Sequence, residues 1–229
     1  MKKIVALDGC HTIFNMYGYS KNNLFEKVCV KNLKYNFENF NWSLASKASE
    51  IFWQKNYKDQ DADQKNFWEE YYRIGLREGG ICTLARQDLI EHAAKSLLPI
   101  KYTIEEGAIE LLGILKKYNL SIGIISNWDG NLKEVLKDLD LLHYFDFIVD
   151  SGIVGVEKPD TKIFDYFLEI SGFDSTEVLF VGDTYYSDIV GANAVGIEAI
   201  LYDSVDALDG IFECNRITKL IDTILYLEM

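Results

Sequence analysis

The sequence predicts an α/β fold, a doubly wound parallel sheet with a second, inserted α-helical domain. Three observations carry this. Short apolar runs alternate with amphipathic stretches over residues 1–13 and roughly 103–229, the pattern of a parallel sheet covered on both faces. Between about residues 15 and 100 no convincing strand occurs and helical periodicity takes over. Residues able to do chemistry, among them Asp8, Ser126 and Asp183, follow the apolar runs directly, at the strand ends where open α/β sheets place ligands.

Taken in order, Ile4–Leu7 predicts the first strand, ending at Asp8. The helical insertion follows, with helices over Lys21–Lys34, Leu44–Asn56, Ala62–Glu78 and Leu84–Leu98. Ser43, Asp61 and Thr83 are their N-caps, and Gly79 and Pro99 their stops. The sheet resumes with strands over Ser121–Ile125, Phe147–Val149, Val178–Val181 and Ala199–Leu201. Helices over Glu105–Tyr118, Leu132–Leu139, Lys162–Ile170 and Asp188–Ala194 lie between them, and Ile217–Leu227 reads as a closing amphipathic helix. The expected domains are a core of residues 1–14 with 101–229 and a helical domain of residues 15–100.

A chain of 229 residues, 48% hydrophobic and 26% charged, can bury such a core and a smaller helical domain. Its net charge of −13 disfavours nucleic acid and anionic membrane as partners. It leaves room for a small anionic substrate, because a metal or lysine reverses the local field. No 18-residue apolar run exists, and the run after Lys2 and Lys3 is too short for a signal-peptide core. The cysteines Cys10, Cys29, Cys82 and Cys214 show no paired spacing, which fits a reduced cytoplasmic compartment. Eleven aromatics lie between Tyr35 and Tyr72. They are expected to pack the helical domain, with one or two left to line a pocket.

Four segments stand at predicted strand ends: Asp8 with Thr12, Ser126-Asn127, Lys158 before Pro159, and Asp183 with Asp188. Taken singly, each has an ordinary reading. Asp8 is a strand-end cap, Asp188 a helix N-cap, Lys158 a solvated lysine and Ser126 a turn residue. Taken together along one sheet edge they supply a nucleophile, a hydrogen-bond donor, a cation and hard oxygen ligands. The charge sum supports a metal: three aspartates and one lysine leave −2, which one divalent cation neutralises.

The stretches Val5-Ala6-Leu7-Asp8-Gly9-Cys10-His11-Thr12-Ile13, Ile124-Ile125-Ser126-Asn127-Trp128-Asp129, Gly155-Val156-Glu157-Lys158-Pro159-Asp160, and Val181-Gly182-Asp183-Thr184 through Asp188-Ile189-Val190-Gly191-Ala192 resemble the haloacid dehalogenase superfamily. The Ser-Asn-Trp-Asp run is most similar to its haloacid dehalogenase-like hydrolase domain-containing subgroup. The resemblance implies a helical cap inserted after the first motif and phosphatase-type hydrolysis of a small phosphorylated metabolite. It implies Asp8 as nucleophile, forming an acyl phosphate, with Ser126 and Lys158 as further catalytic groups. Thr12, Ser126, Asn127, Trp128 and Lys158 are the implied substrate contacts. Mg²⁺ is the implied cofactor, held by Asp8, Asp183, Asp188 and the backbone carbonyl of Cys10.

The chain departs from that pattern at Cys10. Superfamily phosphatases carry a second aspartate there, which protonates the leaving oxygen and then activates water. Loss of a positioned general acid–base costs about 10²–10⁴ in rate. A thiol, with an ordinary pKa of about 8.5, is a poor replacement. His11 stands where the family usually has glycine; it titrates in the right range, but its side chain should leave the backbone in another direction.

Three readings follow. The protein is a Mg²⁺-dependent hydrolase, slow, restricted to good leaving groups or helped by His11 or a cap residue; or it keeps the fold as a binding or regulatory protein; or it runs another chemistry of the superfamily. Dehalogenases lack the metal carboxylate that Asp183 supplies here. Phosphonatases need a cap lysine, and Lys21, Lys27 and Lys31 are candidates without distinction. Trp128 either borders the cleft or packs the following helix, and Asp129 is expected to cap that helix, beginning near Gly130.

Overall fold

The structure, a computed structural model, describes residues 1–59, 64–95 and 100–227. The chain divides into two compact units. One comprises Met1–Met16, Tyr102–Ser204 and Gly210–Met229, and the other Tyr17–Lys101 and Val205–Asp209.

The first unit carries the strands β1 (Ile4–Leu7), β2 (Phe14–Asn15), β3 (Thr103–Ile104), β4 (Ser121–Ser126), β5 (Phe147–Asp150), β6 (Val178–Gly182), β7 (Glu198–Tyr202) and β8 (Asn215–Ile217). Six form one parallel sheet in the order β5-β4-β1-β6-β7-β8. β2 and β3 make a separate antiparallel ribbon. All four residues of β1 are fully buried, as a central strand covered on both faces requires. Leu7 pairs with Ile124 on one side and Val181 on the other. Asp8, Ser126 and Asp183 therefore leave the sheet at one edge. The chain builds β4 and β5 on one side of β1, then crosses to β6, β7 and β8 on the other. Such a reversal is where open α/β sheets bind ligands.

The second unit contains helices α1 (Lys21–Asn32), α2 (Trp42–Asn56), α3 (Gln64–Glu78) and α4 (Gln87–Ala94). Two caps differ from expectation. α2 starts at Trp42, not after Ser43, because the Asn41 side chain accepts the Leu44 N–H at 3.0 Å. Thr83 opens a short 3₁₀ turn, Thr83–Ala85, and α4 begins only at Gln87. The expected cap Asp61, the start at Ala62, the end at Leu98 and the stop at Pro99 lie outside the described residues. The aromatic run packs on itself, with Phe37 4.8 Å from Trp42 and Trp53 5.5 Å from Trp68 between ring centroids.

The first unit's helices are α5 (Ala108–Lys117), α6 (Leu132–Asp138), α7 (Ser151–Val154), α8 (Thr161–Ser171) and α9 (Gly191–Ala194). The predicted helix over Asp188–Ala194 is instead a π-helical turn, Tyr185–Val190, running into α9. The predicted tail helix over Ile217–Leu227 also changes. Ile217 ends β8, paired to Tyr202, and only Leu220–Tyr226 coils, as a 3₁₀ helix. Strand pairing claims Ile217 because the Asp203 carboxylate anchors Arg216 beside it at 2.8 Å. Among the described residues no helix is long and apolar enough to cross a membrane.

Candidate active site

Asp8 begins where β1 ends, and its N–H still donates to Val181 O at 2.8 Å. Its carboxylate is buried, as are those of Asp183 and Asp188, and one oxygen from each lies within 4.8 Å of the others. Lys158 reaches in from the loop before α8. Its Nζ donates to Asp8 Oδ1 at 2.5 Å and to Asp188 Oδ1 at 2.6 Å, and it stands 5.5 Å from the Phe180 ring centroid. Lys158 as a whole is 4% exposed, so the ordinary reading as a solvated lysine does not hold.

Two glycines make this approach possible. A Cβ at Gly182 would lie 2.4 Å from Asp188 Oδ2, so the carboxyl uses space that only glycine leaves. The π-helical turn, wider than an α-turn, folds Asp188 back to accept the Thr184 N–H at 2.9 Å. Asp188 thus lies inside its helical turn, not at its N-cap. A Cβ at Gly9 would lie 2.8 Å from Ser126 Oγ, which brings the buried Ser126 hydroxyl against the backbone next to Asp8.

The charges disturb one another. Burial, with Asp188 and Asp183 adding to it, pushes the Asp8 carboxyl up to about 7 against the opposing pull of Lys158. Burial also raises Asp188, with Asp183 adding to it and Lys158 opposing. Burial works against the charged form of Lys158, but Asp188 and Asp8 outweigh it and hold the ammonium above its usual range. The set carries more negative charge than one lysine balances, in a donor set of hard oxygens. These residues fit a small divalent cation such as Mg²⁺.

The remaining expected contacts are distributed as follows. Asn127 spends its amide on the Lys158 backbone, accepting its N–H at 2.7 Å and donating to its carbonyl at 2.9 Å. Thr12 is fully buried in the turn after Asp8, and its Oγ1 has no partner among the described residues. Trp128 is half-buried, edge-on to Phe14 at 5.3 Å, with its indole N–H donating to Asn131 Oδ1 at 2.7 Å. Trp128 thus packs at the start of the following helix, since Asn131 is the N-cap of α6. Cys10 is half-buried and packs against the apolar core.

Sequence reasoning missed Asp150. Asp129 is exposed and does not cap α6. Instead the buried Asp150 carboxylate accepts the N–H groups of Gly130, Leu132 and Gly152, each at 3.0 Å. Beside it Ser151 Oγ accepts the Trp128 N–H and donates to its carbonyl. Together they fix the loop that follows Ser126. The signal was present, for Phe-Ile-Val-Asp ends an apolar strand on an aspartate just as Ile-Val-Ala-Leu-Asp does.

The chain is similar to several known proteins. The haloacid dehalogenase-like hydrolase family profile matches residues 13–202. A pyrimidine 5'-nucleotidase, YjjG of Escherichia coli, is 35% identical over 161 residues, covering 65% of this chain and 71% of that protein. The mouse haloacid dehalogenase-like hydrolase domain-containing protein 3 is 34% identical over 111 residues, 48% of this chain. The chain spans about half the length of such vertebrate relatives, 44% for the mouse protein and 55% for the bovine one. Among solved structures, a phosphatase from Thermococcus onnurineus superposes with a TM-score of 0.60 at 21% identity, covering 100% of this chain and 98% of that one. The chain belongs to the haloacid dehalogenase-like hydrolase family.

Proposed function

We propose that this hydrolase is a Mg²⁺-dependent phosphatase acting on a small phosphorylated metabolite through a phosphoryl group carried on Asp8. The observation that carries the reading is the buried bridge from Lys158 to both Asp8 and Asp188, with Asp183 in the same cluster. Asp8, Asp183, Asp188 and the Cys10 carbonyl would hold the cation, which when bound neutralises charge on the nucleophile and the phosphoryl oxygens. An oxygen of Asp8 attacks phosphorus and the ester oxygen departs. Lys158 stabilises charge on both partners, and Ser126 donates to a phosphoryl oxygen. Water then cleaves the acyl phosphate and restores Asp8. Thr12 Oγ1, buried and without a partner among the described residues, is a further group for this pocket. The E. coli nucleotidase is joined by relatives named phosphoserine phosphatase and glyceraldehyde 3-phosphate phosphatase; what the three names share is a small phosphomonoester. In this reading the helical unit is the cap that sets specificity, and four free thiols support a reduced, cytoplasmic setting.

Cys10 favours a second reading. Its thiol sits where an acid–base carboxylate is needed and packs against apolar neighbours, so the protein instead binds a phosphorylated ligand without turning it over. An aryl phosphate assay with Mg²⁺ on wild type, Asp8→Asn and Cys10→Asp separates the two. Wild-type turnover lost in Asp8→Asn supports the phosphatase. Turnover in Cys10→Asp alone supports the binding protein, and no turnover in any variant removes the phosphatase reading.

A further inference from the structure

Outside the aspartate cluster, the first unit buries further carboxylates, among them Glu105, 5% exposed. Its hydrogen bonds come from neutral groups. Asn15 Nδ2 donates to Oε2 at 2.5 Å and the Tyr202 hydroxyl to Oε1 at 2.9 Å. No cationic side chain is among its ion-pair partners in the described residues. A buried carboxylate without a cation is costly, and glutamine would fill the same space at less cost. The charge therefore needs a reason beyond packing.

The reason lies one bond further on. Asn15 Oδ1 faces His11 Nδ1 at 3.0 Å. A carboxylate only accepts, so it forces the Asn15 amide to turn its NH₂ inward and its oxygen toward His11. That oxygen in turn requires the hydrogen of the imidazole to be on Nδ1. The register allows the chain of contacts. Asn15 pairs with Thr103, and Glu105 N–H donates to Ile13 O at 2.9 Å, so Asn15 and Glu105 are diagonal neighbours on one face of the ribbon.

His11 needs such support. Its φ is +61°, a left-handed conformation that residues with a side chain rarely adopt. Its N–H closes the turn on Phe14 O at 2.6 Å. The residue before it is Cys10, whose carbonyl the proposed site uses.

We propose that Glu105 is a positioning residue: through Asn15 it fixes the His11 ring as the Nδ1–H tautomer and so holds the turn that aims the Cys10 carbonyl. The proposal rests on the Mg²⁺ reading for its consequence but not for its geometry. Two measurements on the full chain test it. Nitrogen-15 NMR of the three histidines, with His11 identified by its loss in His11→Gly, should show the Nδ1–H form in wild type. In Glu105→Gln, which keeps the volume, the Nε2–H form should appear beside it. Calorimetry should show Mg²⁺ binding about 10-fold weaker in Glu105→Gln, with a melting temperature no lower than that of wild type. In the His11→Gly background, where glycine takes the left-handed turn freely, the same substitution should have no effect. Equal losses in both backgrounds, or a His11 ring that stays wholly Nδ1–H in Glu105→Gln, overturn the proposal. Wild type that binds no Mg²⁺ overturns the metal reading instead, and the NMR result alone then decides for or against Glu105.

Discussion

The side chain of Asn127 closes a two-bond ring on the backbone of Lys158, accepting its N–H at 2.7 Å and donating to its carbonyl at 2.9 Å. The residue after Ser126 thus sets where the lysine loop starts, and Lys158 Nζ inherits that position at the two aspartates. In Asn127→Ala both bonds are lost, at about 1 kcal/mol each. The larger effect falls on rate. A displacement near 1 Å costs on the order of 100-fold, so kcat in an aryl phosphate assay should fall by about that factor. Asn127→Asp accepts but cannot donate, and should fall between the two.

The raised carboxyls make a pH prediction for the metal-free protein. Asp8, pushed up to about 7, and Asp188, raised in the same direction, bind protons more tightly folded than unfolded. Between the unfolded value near 4 and the folded value near 7 the native state holds the extra proton. Stability should therefore fall as pH rises through that window, by at most about 1.4 kcal/mol per pH unit for each group. Urea titrations at pH 5 and pH 7.5 should show it. Added Mg²⁺ should restore stability at the higher pH, and Asp8→Asn should flatten the slope.

Gly182 tests the close approach of Asp188 directly. A methyl group there meets Asp188 Oδ2 at 2.4 Å and its Cγ at 2.5 Å, and the Thr184 N–H bond of that carboxylate must break or shift. Gly182→Ala should destabilise the protein by about 1–3 kcal/mol through overpacking. It should also weaken Mg²⁺ binding measured by calorimetry, whereas Gly172→Ala, at a left-handed glycine with open space around its Cβ position, should cost stability only.

The sequence exposed those parts of the fold that repeat a physical signal. β1, β4, β5 and β6 are apolar runs ending on polar residues, and Asp8, Ser126, Lys158 and Asp183 could be read from their order. β8 could not, because Asn-Arg-Ile has neither length nor alternation and is held by Arg216 and Asp203. Asp188 could be named, but its place inside a π-helical turn depends on the space left by Gly182, which ends the preceding strand and carries no helix signal. The link from His11 through Asn15 to Glu105 and Tyr202 joins residues 11 and 202. No local pattern marks contacts of that range.

In the proposed phosphatase, Cys10 is the position that decides turnover. It follows Asp8 by two residues and packs half-buried against the apolar core that includes Phe14. Without a carboxylate there, the leaving oxygen departs without a proton, so rate should depend steeply on the leaving group. An aryl phosphate should be cleaved well and an alkyl phosphate poorly. Cys10→Asp supplies the missing acid and should raise kcat on the alkyl phosphate by about 10²–10⁴, with a smaller gain on the aryl phosphate, where protonation matters less. The new carboxylate adds negative charge to a cluster that already pushes Asp8 up, so the gain should require Mg²⁺ and vanish with a chelator. Equal gains on both substrates would assign the benefit to metal binding instead of proton transfer.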